Sequence, residues 1–440
     1  MKKPETITVK NKLYIVFFIV FISVPVFAKA SSFSYGFTAA FENQHFLVNR
    51  DQHTSNDVYK AVLETQFIYD NQNNFKVDLH PWLRINLSEK KIEHYIPNEA
   101  YFLYYKSWLE MSGGLQVYTI GYSEFYNPTK VFIRSDLAES MYAPNDLGEL
   151  MFQLKIIKPQ WGLLTDLSLE MIVEPWFQET HLPENESRFA LAGNFGAIPY
   201  EIDAVQDHPQ TSFQSIGWGV VLKGLVATFE WEIIYYHGPE RTPAYYLTTD
   251  SGGSLRLRPF YYTIDMVGAN FSYPIGRLLL RTELAGKITV GNNAVTHDLP
   301  NQTDNLVPRS YFQFVPGVDY TIENIMGEHI LRLTAEYYGE NNRRRELAEY
   351  RPLKNDLFIG FDYDFNNCLM SHVRLGFLKD LSNTELAIII ETKTKLYREL
   401  TWEVKAVIVN RDSDPNAPLS YFDNNSYITS TLSYAFGHSE

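Results

Sequence analysis

Four arginines sit inside stretches that otherwise alternate apolar and polar residues: Arg84, Arg281, Arg332 and Arg374. An arginine is planar and permanently charged, and its fork matches carboxylate or phosphate. A period of two puts every second side chain on one face of a strand. Arg84 therefore shares a face with Lys76, Asp78 and His80, opposite Val77, Leu79, Leu83 and Ile85. Arg281 shares one with Glu283 and Lys287, opposite Leu278, Leu280, Leu284 and Ile288. Lys60, Glu64, Lys106, Glu170, Glu230, Glu232, Glu336, Asp362 and Asp364 occupy charged faces of the same kind. Both signs occur in similar number, so no ring of one sign emerges to fix an ion preference, and many of these charges are expected to pair across neighbouring strands. Arg84, Lys106, Arg281, Arg332, Arg374, Glu230 and Glu232 are the candidates for contact with a solute.

Catalytic signatures are absent. The sequence holds no H-E-x-x-H, no G-x-S-x-G and no P-loop, and its 11 histidines are scattered. Asp412, Asp414 and Asn416 have the spacing of the first ligands of a calcium loop, but the glycine and distal glutamate are missing. A polar surface loop is the simpler expectation there. The chain is thus expected to be no enzyme and to use no metal or cofactor. The single cysteine, Cys368, cannot form an internal disulfide. The net charge of −14 speaks against nucleic acid, which needs a basic surface.

The elements that must position these charges are strands. Alternating runs of roughly 10–16 residues recur from Phe33 to Phe436, while no stretch after the first thirty residues is apolar for the ~18 residues of a helical span. Aromatics make up 15% of the chain, including 30 tyrosines, as suits the aromatic girdles of a membrane barrel. Counting the runs predicts an all-β fold, a single transmembrane antiparallel β-barrel of eighteen strands, with sixteen as the alternative. Connections alternate between short turns (71–73, 111–113, 158–160, 223–224, 274–276, 323–327, 366–369 and 397–400) and longer loops (123–147, 175–211, 238–258, 292–308, 339–354 and 410–425), with a short 380–384 as the exception. Short turns belong on the periplasmic side and long loops outside. Charged parities should face the lumen, because a charge toward lipid at mid-depth costs ~2–4 kcal/mol. The stretch Glu99–Leu137 reads as a hairpin turning at Ser112-Gly113-Gly114, with Lys106 on its charged face.

The first thirty residues read as a cleaved secretory signal peptide: lysines at 2, 3, 10 and 12, an apolar Leu13–Val24, and Ala28-Lys29-Ala30 as the cleavage site. Residues 31–440 would then form the barrel. Losing five lysines and one glutamate with the leader takes the net charge from −14 to −18. The expected location is the bacterial outer membrane. The expected partners are outer-membrane lipid, lipopolysaccharide bridged by divalent cations, and the outer-membrane assembly machinery, reading a last strand that ends at Phe436.

The segment Ser123–Leu147 is too long for a hairpin link and carries Glu124, Asn127, Lys130, Arg134 and Asp136, which makes it the candidate constriction loop. Arg343-Arg344-Arg345 lies in another long loop and reads as a solvated charge run. The run GLQVYTIGYSEFYNPTKVFIRSDL, through Gly114, Gln116, Gly121, Asn127, Pro128 and Asp136, resembles the signature of porin-like outer-membrane proteins related to the alginate-export family. Ile120 stands where that signature often has tryptophan. EPWFQETHLPENESRF, Glu174 to Phe189, is a second echo, and Tyr320–Tyr338 and Asp356–Arg411 look like the family's later strands. The resemblance implies one wide barrel whose loops fold inward and narrow a channel; the expected function is passive passage of small or oligomeric hydrophilic solutes through its charged lumen. A plugged barrel serving as adhesin, receptor or structural protein is the alternative.

Overall fold

A computed structural model describes residues 32–47, 56–88, 91–94, 97–137, 145–183, 189, 193–195, 198–203, 206–207, 215–249, 253–290, 310–341, 353–410 and 426–439. Residues 1–30, which read as a signal peptide, the Asp412–Asn416 spacing and the Arg343–Arg345 run lie outside these residues. Eighteen antiparallel strands form the wall. They are β1 (Ser32–Phe46), β2 (Asp57–Asp70), β3 (Phe75–Asn86), β4 (Pro97–Lys106), β5 (Leu109–Gln116) and β6 (Glu149–Trp161). Then come β7 (Leu164–Glu174), β8 (Gly217–Val226), β9 (Phe229–Pro239), β10 (Thr263–Ile275), β11 (Leu278–Thr289) and β12 (Tyr311–Ile325). The last six are β13 (His329–Glu340), β14 (Asn355–Asp364), β15 (His372–Asp380), β16 (Leu386–Tyr397), β17 (Leu400–Asn410) and β18 (Tyr427–Ser439). Each pairs with its sequence neighbours, and β18 returns to β1 in register from Ser34 opposite Ser439 to Phe46 opposite Tyr427. Closure leaves no unpaired edge, the condition for strands to cross lipid. The short strand Lys91–His94 extends the hairpin partner of β3 beyond β4.

The expected alternation of connections holds: β2–β3, β4–β5 and every later even-to-odd link is a short turn. The link from β15 to β16, residues 381–385, is the one short connection at the long-loop end. The long connections carry structure of their own. Gly193–Phe195, Ile198–Ile202, Leu255–Phe260 and Ala244–Thr249 form a four-stranded sheet, and Arg134–Asp136 pairs with Asn145–Leu147.

Three turns lie away from their expected positions. The hairpin of β4 and β5 reverses at Ser107–Trp108, where Lys106 pairs with Leu109, and not at Ser112-Gly113-Gly114. Those glycines lie inside β5 because neighbours press on them. A Cβ on Gly113 would stand 2.8 Å from the Phe152 ring and 2.9 Å from Phe102. Gly114 has φ +135°, and a Cβ there would stand 2.2 Å from the Ala100 carbonyl oxygen. Likewise Lys223-Gly224 is interior to β8, which turns at Ala227–Thr228, and residues 158–160 are interior to β6, which turns at Gly162–Leu163. In both, the residue that reverses the chain takes a positive φ, 53° at Ala227 and 64° at Gly162.

The facing of β4 also needs correction. Tyr101 pairs with Asp78, whose parity faces the lumen, so Glu99, Tyr101, Leu103 and Tyr105 point inward and Phe102, Tyr104 and Lys106 outward. A shift of one residue exchanges faces throughout a strand. Lys106 is therefore no lumen residue. It is exposed at the last position of β4, with its ammonium 5.7 Å from the Tyr104 ring, as a lysine snorkelling at the membrane edge does.

The outward parity elsewhere is apolar and exposed, as at Leu63, Ile233, Val267, Ile288, Phe361 and Leu432. Trp108, Trp161 and Tyr397 ring the short-turn end. This belt makes the wall a membrane-spanning one. Phe436, also outward, stacks on Phe37 at 5.1 Å across the closing seam. Gly114→Ala should destabilise the barrel by at least about 1–3 kcal/mol, the cost of a backbone held off its allowed region. Urea unfolding in lipid, followed by tryptophan fluorescence, would show a lower midpoint; an unchanged midpoint would contradict the close approach at Ala100.

Candidate functional site

The inward face changes character along the strands. Near the short turns it carries charges. Towards the long loops, in the sector β6 to β11, it becomes apolar, with Met151, Ile172, Val221, Ile234, Met266 and Ala285 buried. The connection from β5 to β6 folds onto this sector. Its Ile120, Val131 and Phe132 pack against those residues, and the Phe132 ring meets Tyr118 and Tyr236 edge-on at 5.5 and 5.2 Å. Burying apolar side chains on both sides supplies the attraction that holds a loop inside a lumen.

Polar contacts carry the loop further round the wall. Tyr118 donates to Glu170 of β7 at 2.6 Å. Burial and the adjoining Glu170 carboxylate push the Tyr118 phenol well above its usual range, so it stays a donor. The Glu283 carboxylate of β11 accepts the backbone N–H groups of Tyr122 and Ser123, the latter at 2.6 Å, and the Ser123 hydroxyl at 3.2 Å. Glu336 of β13 accepts the backbone N–H of Glu124 at 3.1 Å, and Arg281 stands 3.0 Å from Glu336 and 2.9 Å from Asp319. Arg281 also donates to the Tyr122 carbonyl. The tip ends in a clasp: Glu124 reaches Arg374 of β15 at 2.5 Å and lies 4.0 Å from Arg332, which pairs with Asp362 at 3.0 Å. From Glu170 to Arg374 these contacts run from β7 to β15, half the circumference of eighteen strands.

The other loop candidates shape the loop itself. The Asn127 amide donates to the Ile120 carbonyl and accepts from the Thr129 backbone at 2.9 Å. Gly121, with φ +83°, is needed beside it, since a Cβ would stand 1.9 Å from the Asn127 amide nitrogen. Lys130 pairs with Asp146, and Arg134 donates to the Gly148 carbonyl at 3.5 Å. Asp136 is fully buried, 2.8 Å from Nδ1 of His181 in the next long connection. Of the five, Glu124 is the one whose contacts reach β13 and β15. Among the wall candidates, Arg84 pairs with Glu42 at 3.1 Å, Glu232 accepts from Asn270 at 3.0 Å, and Glu230 lies near the Tyr122 hydroxyl.

A buried knot that sequence reasoning missed ties three connections together. Arg241, between β9 and β10, donates to the Val131 carbonyl at 2.9 Å and the Gln178 carbonyl at 3.4 Å. It pairs with Glu149 at 2.8 Å and Glu174 at 2.6 Å, the ends of β6 and β7. The two carboxylates stand 92 and 67 positions away from it, a separation with no local signal. The adjoining Glu240 accepts Lys287 and Tyr311, each at 2.9 Å. Burial alone would raise the Glu240 pKa, but the Lys287 charge and these hydrogen bonds outweigh it and hold the acid below its usual range.

At the long-loop end the remaining wall is also covered. Leu182, Phe189, Tyr245 and Leu257 from two long connections pack with inward residues of β1 and β12 to β18. Phe189 sits between Phe46 and Tyr427, at 5.7 and 5.6 Å, directly over the seam where β18 meets β1. Below that seam the inward side chains are short: Gly36, Thr38 and Ala40 on β1, and Thr431, Ser433 and Ala435 on β18.

No family model matches the sequence, and neither does any curated protein. Solved structures share the fold. A BenF-like porin from Pseudomonas fluorescens Pf-5 aligns with a TM-score of 0.53 at 10% identity, over 94% of this chain and 100% of that one. OccAB4 of Acinetobacter baumannii aligns at 0.50 with 9% identity, covering 95% and 100%. OccK8 (OprE) of Pseudomonas aeruginosa aligns at 0.50 with 12% identity, covering 94% and 99%. The chain has the closed eighteen-stranded barrel of outer-membrane porins.

Removing the guanidinium in Arg241→Met leaves Glu149 and Glu174 buried without their cation, which should cost about 3–5 kcal/mol. Limited proteolysis of the reconstituted protein should then cut the 117–148 connection faster than in wild type, with Arg241→Lys intermediate. Equal cleavage in all three would refute the knot.

Proposed function

We propose that this protein is a porin-type channel of the bacterial outer membrane, passing small hydrophilic solutes through a lumen narrowed by the 117–148 connection. The observation that carries the reading is the Ser123–Glu124 tip, pinned by Glu283, Glu336 and Arg374 on the far side of the lumen from its own strand. Such a loop reduces a wide barrel to a passage beside it, here along β16 to β18 and β1 to β3. The mechanism is diffusion, with no bond made or broken, and Arg332, Arg374, Glu124 and Asp362 set the field that a solute meets. The chain's charge of −14 argues against a polyanion as the cargo. Kinship with the alginate-export family in particular rests on the Gly114 to Asp136 signature, whose residues Gly121, Asn127 and Asp136 build this loop. Outer-leaflet lipid and lipopolysaccharide are the proposed surroundings, and the outer-membrane assembly machinery would read the outward Phe436 on β18.

One observation favours a second reading. The apolar packing of Phe189, Leu182 and Tyr245 over the long-loop end suits a barrel closed at rest, whose surface loops serve as receptor or adhesin.

Planar-bilayer recording separates the two. A channel gives stepwise conductance, and Glu124→Ala should raise the unitary current and, by freeing Arg374, move the reversal potential in a salt gradient towards anion preference. Correctly folded protein that stays silent at every voltage would favour the closed barrel.

A further inference from the structure

The seam where the barrel closes contains a cavity of about 520 Å³, open towards the lumen. Gly36, Gly437 and Ala435 form its floor, and Thr38, Glu64, Gln66, His80 and Glu399 stand around it. The glycine at 36 is what leaves the room: nothing lies within 4 Å of where its Cβ would be. Most lumen charges of this protein are paired, such as Glu42 with Arg84, Asp78 with Lys76 at 2.9 Å and Glu403 with Lys393 at 3.6 Å. Glu64 is different. Among the described residues its carboxylate has neither a hydrogen bond nor an ion pair. Glu399, across the floor on the turn between β16 and β17, is only loosely matched, 3.9 Å from Lys395 and 56% exposed. The amide of Gln66 and the hydroxyl of Thr38 offer further hydrogen bonds.

We propose that this seam cavity is a binding site for a small organic cation, a solute carrying a primary ammonium group that Glu64 accepts and Glu399 assists. An ammonium offers three donors and one positive charge. It fits a half-buried carboxylate with no hydrogen bond or ion pair, which faces the His80 imidazole and the Thr38 and Gln66 acceptors, and a floor of glycine and alanine leaves space for an aliphatic stem. An anion would meet two carboxylates. A neutral polyol would gain the hydrogen bonds of Thr38 and Gln66 but leave the Glu64 charge unmatched. The cavity lies on the half of the lumen that the 117–148 connection leaves free, so the inference deepens the channel reading by naming a class of solute.

The probe is 1,4-diaminobutane, with 1,4-butanediol as the uncharged control. Binding is measured by titration calorimetry on the full barrel in detergent, a readout that needs no conduction. Wild type is expected to bind the diamine and not the diol. Glu64→Gln should weaken binding by about tenfold or more, the worth of one charge-assisted hydrogen bond. Gly36→Leu should abolish it by filling the floor, and because that variant can fail to close the seam, Glu64→Gln carries the test alone if it does. Glu403→Gln, a paired lumen carboxylate elsewhere, should bind as wild type does. No binding to wild type, or equal losses in Glu64→Gln and Glu403→Gln, would overturn the site in favour of diffuse attraction. Diamine binding by a barrel silent in bilayers would retain the site and reject the channel; conductance without binding would do the reverse.

Discussion

The structure depends on the guanidinium of Arg241. Three long connections enter the barrel mouth, and each brings backbone groups that must find partners away from water. Arg241 meets this demand at one point: it donates to carbonyls of two connections while belonging to a third, and its charge is met by Glu149, where the first connection enters β6, and Glu174, where the second leaves β7. A buried arginine is tolerable only with its fork filled. Here the filling comes from different parts of the chain, so satisfying the charge also fixes how the connections lie against one another. The Thr180 hydroxyl closes the arrangement by donating to the Arg241 carbonyl at 2.8 Å.

The same logic runs outward along the 117–148 connection. Carboxylates on the wall face backbone N–H groups of an irregular segment, and the two needs cancel: Glu283 and Glu336 would be costly without donors, and Tyr122, Ser123 and Glu124 would be costly without acceptors. Dry packing at Ile120, Val131 and Phe132 then excludes water from the root of the loop. The lumen is divided unequally as a result. The loop covers the wall from β7 to β15, and short inward side chains line the seam of β1 and β18. The charged residues therefore fall into two sets. Arg281, Glu283 and Arg374 hold the loop, while Arg332 pairs with Asp362 beside its tip and Glu64 lies at the seam.

Much of this was legible in order and little in contact. The strand count, the alternation of short and long links, and the inward facing of Arg84, Arg281, Arg332 and Arg374 follow from a period of two, which each strand shows by itself. The hairpin at Glu99–Leu137 misled because Ser-Gly-Gly has the composition of a turn. Its glycines answer to Phe102, Phe152 and Ala100, contacts that composition cannot reveal. Lys106 misled because a strand with aromatic residues on both parities does not declare its face; pairing of Tyr101 with Asp78 does.

The sequence by itself determined that this chain makes a closed, membrane-spanning barrel and that the segment after β5 is unusual, because periodicity, length and the Gly121 and Asn127 pattern are local properties. Only the tertiary structure decided what that segment does with its charges. Glu124 and Arg374 are 250 positions apart and Arg241 and Glu149 are 92 apart. Which of many acids meets which of many bases across a lumen is set by strand register and barrel closure. Those are global constraints that no stretch of sequence carries alone. Alternation along each strand thus fixes the wall, and the closing of that wall on β1 and β18 fixes the contacts across it.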